Sequence, residues 1–202
     1  MSLPDFFARV PAVTVHDPLA AFLGAPADGC LTYTYADAVR LAGHSCPTVA
    51  GAWLMTVRAL AALWPEGLPE RGRVQLMLPE APDSGVTGVV AAVAGLVTGA
   101  AGAGGFKGIG GRFGRAGLVK FATAIPATLG FRRTDTGDGV LAHYDPSAVP
   151  ADPEMRPALQ RLMAGVENAA DGAVFARAWQ ERVRHILLDA ADAVVTLTPL
   201  PA

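Results

Sequence analysis

His44 and Cys46 stand one residue apart in AGHSCPTVAG, residues 42–51, in a chain that has only two cysteines and four histidines. Pro47 follows and opens a long apolar helical pattern. A proline suits the first helical position, so Cys46 is expected at or beside the N-cap. A sulfur placed there lies next to unpaired backbone N–H groups and the positive end of the helix dipole, which favours the thiolate. Thiolate and imidazole presented together on a turn are donors that a zinc-type ion accepts. The same spacing also describes a buried cysteine acting as a small apolar group, beside a histidine bonded to backbone. Spacing alone leaves both readings open.

A catalytic zinc site usually needs a third protein ligand and an open position. His16, in VHDP, and His143, in AHYDP, are the expected sources, each followed closely by an aspartate and a proline. His185 sits in ERVRHILL and reads as surface, and Cys30 precedes a strand. Asp83 and Ser84 precede an apolar run and read as N-cap residues. No catalytic residue is identified, since the chain has no G-x-S-x-G elbow, C-x-x-C pair or H-E-x-x-H motif. The densest glycine run, AGAGGFKGIGGRFGRAG, fits neither a P-loop nor a dinucleotide fingerprint. It could form a backbone nest for an anionic cofactor with Lys107 and Arg112, and Arg115 alongside. A loop that lets two backbones pass closely is an equal reading.

These groups need a scaffold, and 202 residues are enough for one domain with a sizeable core. The formal charge of −2 gives no electrostatic reason to expect nucleic acid or acidic lipid. Two cysteines cannot make a disulfide framework, and MSLPDFFARVPAVTV lacks a basic region followed by a long apolar run. A cytoplasmic protein is the default expectation. Between Asp83 and Lys107 no charge occurs, which is long enough to raise a membrane span. That stretch is built mainly from Gly, Ala, Val and Thr and ends in GAAGAGG, which favours a buried helix instead.

Helices are predicted for PDFFAR, DPLAAFLGA with Asp17 as cap, TYADAVRLAG closed by Gly43, PTVAGAWLMTVRALAALWP, and about residues 84–98. Strands are predicted for GRVQLMLP, LVKFATAI, LGFRRTD and GVLAHYDP, with DTGDG turning between the last two. DPEMRPALQRLMAG and AVFARAWQERVRHILLDAADA read as amphipathic helices. Without regular βαβ alternation this is an α+β pattern, a mixed or antiparallel sheet packed with helices. Residues 1–150 are expected as the core domain and 151–202 as a helical C-terminal cap packed on it.

The stretch LAGHSCPTVAGAWLMTVRALAAL resembles the opening motif of the FmdE-like family of formylmethanofuran dehydrogenase components, with its G-H-x-C-P signature leading into a helix. The likeness continues through DSGVTGVVAAVAGLVTGA and GGFKGIGGRF, over roughly residues 30–125. It implies an α+β protein, often dimeric, with a metal near His44 and Cys46. Many members carry a further cysteine where this chain has PDSGV, and a cysteine-rich zinc module at the C-terminus that two cysteines exclude here.

Three functions compete. The first is binding of zinc or another divalent transition metal through His44 and Cys46, with His16 or His143 completing the set and a small-molecule ligand beside it. The second is haem binding, since Cys46-Pro47 and His44 offer axial ligands. The third is a non-catalytic homodimeric scaffold whose small-residue helix, with Gly85, Gly88, Ala92, Gly95 and Gly99, lets another backbone approach.

Overall fold

The computed structural model describes residues 3–165 and 169–201. It is an α+β fold, as the patterning predicts. Near the N-terminus, a short 3-10 turn over Asp5–Arg9 buries Phe6 and Phe7. Strand β1 (Val13–His16) and strand β2 (Cys30–Tyr33) then pair antiparallel as a separate ribbon. Between them lies helix α1 (Pro18–Leu23), capped by Asp17 and closed by Gly24 at φ 76°. Helix α2 (Tyr35–Ala42) starts with a capping box between Thr34 and Asp37 and ends at Gly43, φ 77°. A helix must stop where the next residue turns left-handed, and glycine does this without steric cost.

Helix α3 (Pro47–Leu63) is the centre of the molecule. Its apolar residues do not form one stripe: Val49, Ala50, Trp53, Leu54, Met55, Ala59 and Leu60 are all buried, so layers cover it on several sides. Helix α4 (Thr87–Thr98) packs against α3 and α2 and buries Val90, Ala91, Val93, Ala94, Val97 and Thr98. The charge-free stretch is therefore a core helix, and among the described residues no helix is long and apolar enough to cross a membrane. α4 begins later than predicted. Val86 stands at its N-cap without a side-chain cap, and Ser84 belongs to the preceding turn, its N–H donating to Ala81 O. Asp83 and Ser84 are thus not the caps of this helix.

The main sheet has the order β4-β3-β5-β6-β7. Strand β3 (Val74–Met77) lies between β4 (Val119–Lys120), parallel to it, and β5 (Leu129–Arg133), antiparallel. The hairpin partner β6 (Gly139–Tyr144) follows β5. β4 is much shorter than LVKFATAI suggests, because the chain leaves the ladder at Phe121. Ala122 N–H then donates to Glu80 O and Thr123 N–H to Leu78 O.

The C-terminal segment holds helix α5 (Met155–Met163), helix α6 (Ala169–Arg184), a π-helical turn over His185–Asp189 and helix α7 (Ala191–Val194). Val183, Ile186 and Leu187 enter the core. The segment is more than a helical cap, however. Its last residues form strand β7 (Val195–Pro199), antiparallel to β6 in the main sheet. Alternating VTLTP suits a half-buried edge strand.

Candidate functional site

The turn between α2 and α3 presents His44 and Cys46 as the sequence suggests. Cys46 is the N-cap of α3, and its sulfur accepts a hydrogen bond from Val49 N–H at 3.5 Å. It is also 8% exposed, packed in the hydrophobic core. His44 is exposed, with Nδ1 donating to Ala42 O at 2.9 Å, which leaves Nε2 at the surface. The other two nominated ligands lie elsewhere. His16 is on the β1–β2 ribbon, directly opposite Cys30, whereas His143 is on β6 of the main sheet with Nε2 3.2 Å from Thr198 Oγ1. The two histidines therefore lie on strands of different sheets. Among the described residues, no three His, Cys, Asp or Glu side chains gather as a metal group. Among the described residues, the donors present at His44 and Cys46 do not complete a metal centre.

What the turn does hold is the C-terminal helix. Ser45 O accepts from Trp179 Nε1 at 2.9 Å and from Gln180 Nε2 at 3.2 Å. Ser45 Oγ is 3.0 Å from the hydroxyl of the fully buried Tyr35, and Tyr144 O–H donates to Pro47 O at 2.6 Å. Burial pushes both phenols well above their ordinary pKa, so they stay protonated. Tyr144 reaches Pro47 because residue 51 is glycine: a Cβ there would lie 2.5 Å from the phenol ring.

A second polar region lies across the molecule and is built differently. Asp17, 3% exposed, caps α1 by accepting from Leu19 N–H at 2.9 Å and Ala20 N–H at 3.2 Å through Oδ1. The same oxygen accepts from Arg115 Nη2 at 2.7 Å, and Oδ2 accepts from Arg71 Nη1 at 2.8 Å. Burial alone would raise this carboxyl's pKa. The hydrogen bond from Arg71, the charge of Arg115 and the two backbone bonds outweigh burial and hold it below 3.8. Arg115 is itself 6% exposed, and burial presses its pKa down against the attraction of Asp17.

Two glycines make room for this pair. A Cβ on Gly72, φ 88°, would sit 1.8 Å from Arg115 Nη1, and one on Gly99, φ 72°, would meet both Arg115 and Arg71 at 2.9 Å. Even so, the guanidiniums are not fully used. Arg71 Nε and Arg115 Nε and Nη1 are buried without an acceptor. An unpaired buried donor of this kind is costly, on the order of 1–3 kcal/mol.

These arginines line a cleft of about 560 Å³ whose walls include His16, Pro18, Glu70, Arg71, Gly72, Arg73, Arg112, Phe113 and Arg115. Arg73 is paired with Glu70 at 2.7 Å. Arg112 has no ion pair among the described residues and rests only on the ring of Phe113, 4.8 Å from its centroid. Phe113 in turn stacks on Phe22 at 5.3 Å and takes φ 63°, a left-handed backbone that a bulky residue adopts at a cost of about 1–3 kcal/mol. Phe113 follows a small hairpin in which Ile109 and Arg112 exchange both backbone hydrogen bonds around Gly110 and Gly111, φ 56° and 78°. Left-handed values at both central positions are what a tight two-residue turn requires.

Of the two residues nominated for an anionic cofactor, Arg112 faces this cleft, while Lys107 is exposed and outside its lining. Asp17, Glu70, Arg71, Gly72, Arg73 and Phe113 are members that sequence reasoning missed. Asp17 was legible only as a helix cap, and nothing in the spacing reveals that Arg115, 98 residues away, shares its oxygen. No family model matches the chain, and no curated protein matches it.

Proposed function

We propose that the protein binds a small anionic ligand in the cleft between the β1–α1 junction, the start of β3 and the 106–115 hairpin. One observation carries this reading: four arginines line the cleft, against the two carboxylates of Glu70 and Asp17, in a chain whose net charge is −2. Cations concentrated against the sign of the whole molecule focus the field on an anion. The uncommitted Arg112 supplies fork-shaped recognition of carboxylate or phosphate, and Arg71 and the buried Arg115 add positive charge behind it. Calorimetric titration of the whole chain with pyrophosphate tests it. Binding is expected in wild type, weakened at least about tenfold in Arg112→Ala, the loss of one charge-assisted contact. Failure of wild type to bind pyrophosphate, inorganic phosphate or any organic anion would sink the reading.

A metal at His44 and Cys46 is the second reading. It is favoured by Nδ1 of His44 being tied to a backbone carbonyl with Nε2 free, the orientation of many metal-bound imidazoles. It needs further ligands from a second chain or from outside the described residues. Metal content of wild type, His44→Ala and Cys46→Ser protein, dialysed identically, decides it: equal content in all three ends the proposal.

A further inference from the structure

We infer that the ligand of this cleft is a phosphate monoester carrying a small organic group, an inference that rests on the anion-binding reading. Charge is the first reason. Arg71, Arg73, Arg112 and Arg115 exceed Glu70 and Asp17 by two positive charges, which a dianion neutralises and a monoanion leaves half-compensated.

Donor number is the second. Gly111, Phe113 and Gly114 line the cleft, and their backbone N–H groups have no acceptor among the described residues. Together with the guanidinium N–H groups of Arg112 they outnumber the roughly four lone pairs that a carboxylate offers, and they suit the three terminal oxygens of a phosphate. Successive N–H groups in a left-handed turn form an anion-holding concavity. The positive φ of Gly110, Gly111 and Phe113 supplies that curvature.

Size is the third. The cleft, about 560 Å³, falls in the range of small-molecule sites and exceeds what a bare phosphate fills. Its other walls include His16 and Gly72; among them Pro18, Leu118 and Thr134 are uncharged and suit a neutral organic group.

The test is calorimetry on the whole chain at about pH 8, where a phosphate monoester is fully dianionic. Phenyl phosphate is compared with phenyl sulfate, its monoanionic isostere, and glycerol 3-phosphate with glycerate; inorganic phosphate and pyrophosphate complete the panel. At least one ester is expected to bind roughly tenfold tighter than its monoanionic counterpart, the effect of one charge-assisted hydrogen bond, and tighter than inorganic phosphate. Arg112→Gln, on the exposed hairpin, should erase most of that preference without loss of fold. Monoanions that bind as well as the esters, or inorganic phosphate that binds better than both, would overturn the ester assignment while leaving anion binding in place. No binding by any member of the panel would instead overturn the anion reading beneath it.

Discussion

The turn at residues 43–47 and the arginine cleft both bring polar groups inside, and they dispose of them in opposite ways. At the turn the chain answers its own exposed carbonyls: Trp179 and Gln180 donate to Ser45 O, and Tyr144 donates to Pro47 O. At the cleft Asp17 is saturated with four donors, yet Arg115 and Arg71 keep buried N–H groups without acceptors. A polar cluster that satisfies itself holds elements together, and one bordered by an exposed cation without an ion pair, as Arg112 is, is fitted for something from outside. The sequence directs attention to the first region because its residues are adjacent. The second is spread over α1, the β3 approach and the glycine hairpin.

The largest effect that tests this contrast is expected at Asp17. Asp17→Asn leaves Arg71 and Arg115 buried without their counter-charge and should cost about 3–5 kcal/mol in denaturant unfolding. The pH dependence has a definite sign. The folded-state pKa is below 3.8, so the contribution is present above that value and lost as pH falls through the lower folded one. Wild-type stability should therefore decline as the pH falls below 3.8, by an amount the asparagine variant lacks. Equal stability of the two proteins near neutrality would mean that the arginines are solvated and the cleft is not a prepared site.

A smaller loss is expected at the turn. Trp179→Ala removes a donor to Ser45 and half-buried aromatic surface that packs α6 on α3, and about 2–3 kcal/mol should go. Anion affinity should be unchanged, because the cleft is a separate region. If affinity falls with stability, the two regions are coupled and the contrast between them fails.

Cys46→Ser should change stability least, within about 1 kcal/mol, since serine also caps a helix and the lost sulfur packing is offset by a stronger acceptor. A much larger loss, accompanied by release of bound metal, would return the His44–Cys46 turn to the position of a working centre.

The secondary elements were legible wherever a local signal fixed them. Asp17-Pro18 and Cys46-Pro47 mark helix starts and Gly43 a helix end, because caps and left-handed turns act within a few residues. A long apolar helical pattern likewise placed α3, and short apolar runs bounded by turn residues placed β3, β5 and β6. β7 escaped notice because it follows a continuous helical pattern and only pairing with β6 makes it a strand. Charge-free composition marked α4 as buried; which neighbours cover it took the packing of α2 and α3.

For the site, the sequence determined the chemistry available: a His-x-Cys turn, a glycine-dense hairpin and arginines around it. Only the tertiary structure decided which of these groups meet. It set His16 and His143 on different sheets and kept Lys107 outside the arginines. It also brought Asp17, Arg71 and Arg115 into one buried cluster over Gly72 and Gly99. The physical reason is range. Caps, turns and periodicity arise between residues a few positions apart, whereas a charge cluster depends on closing loops of tens of residues, and it is the burial of the surrounding core that determines which loops close.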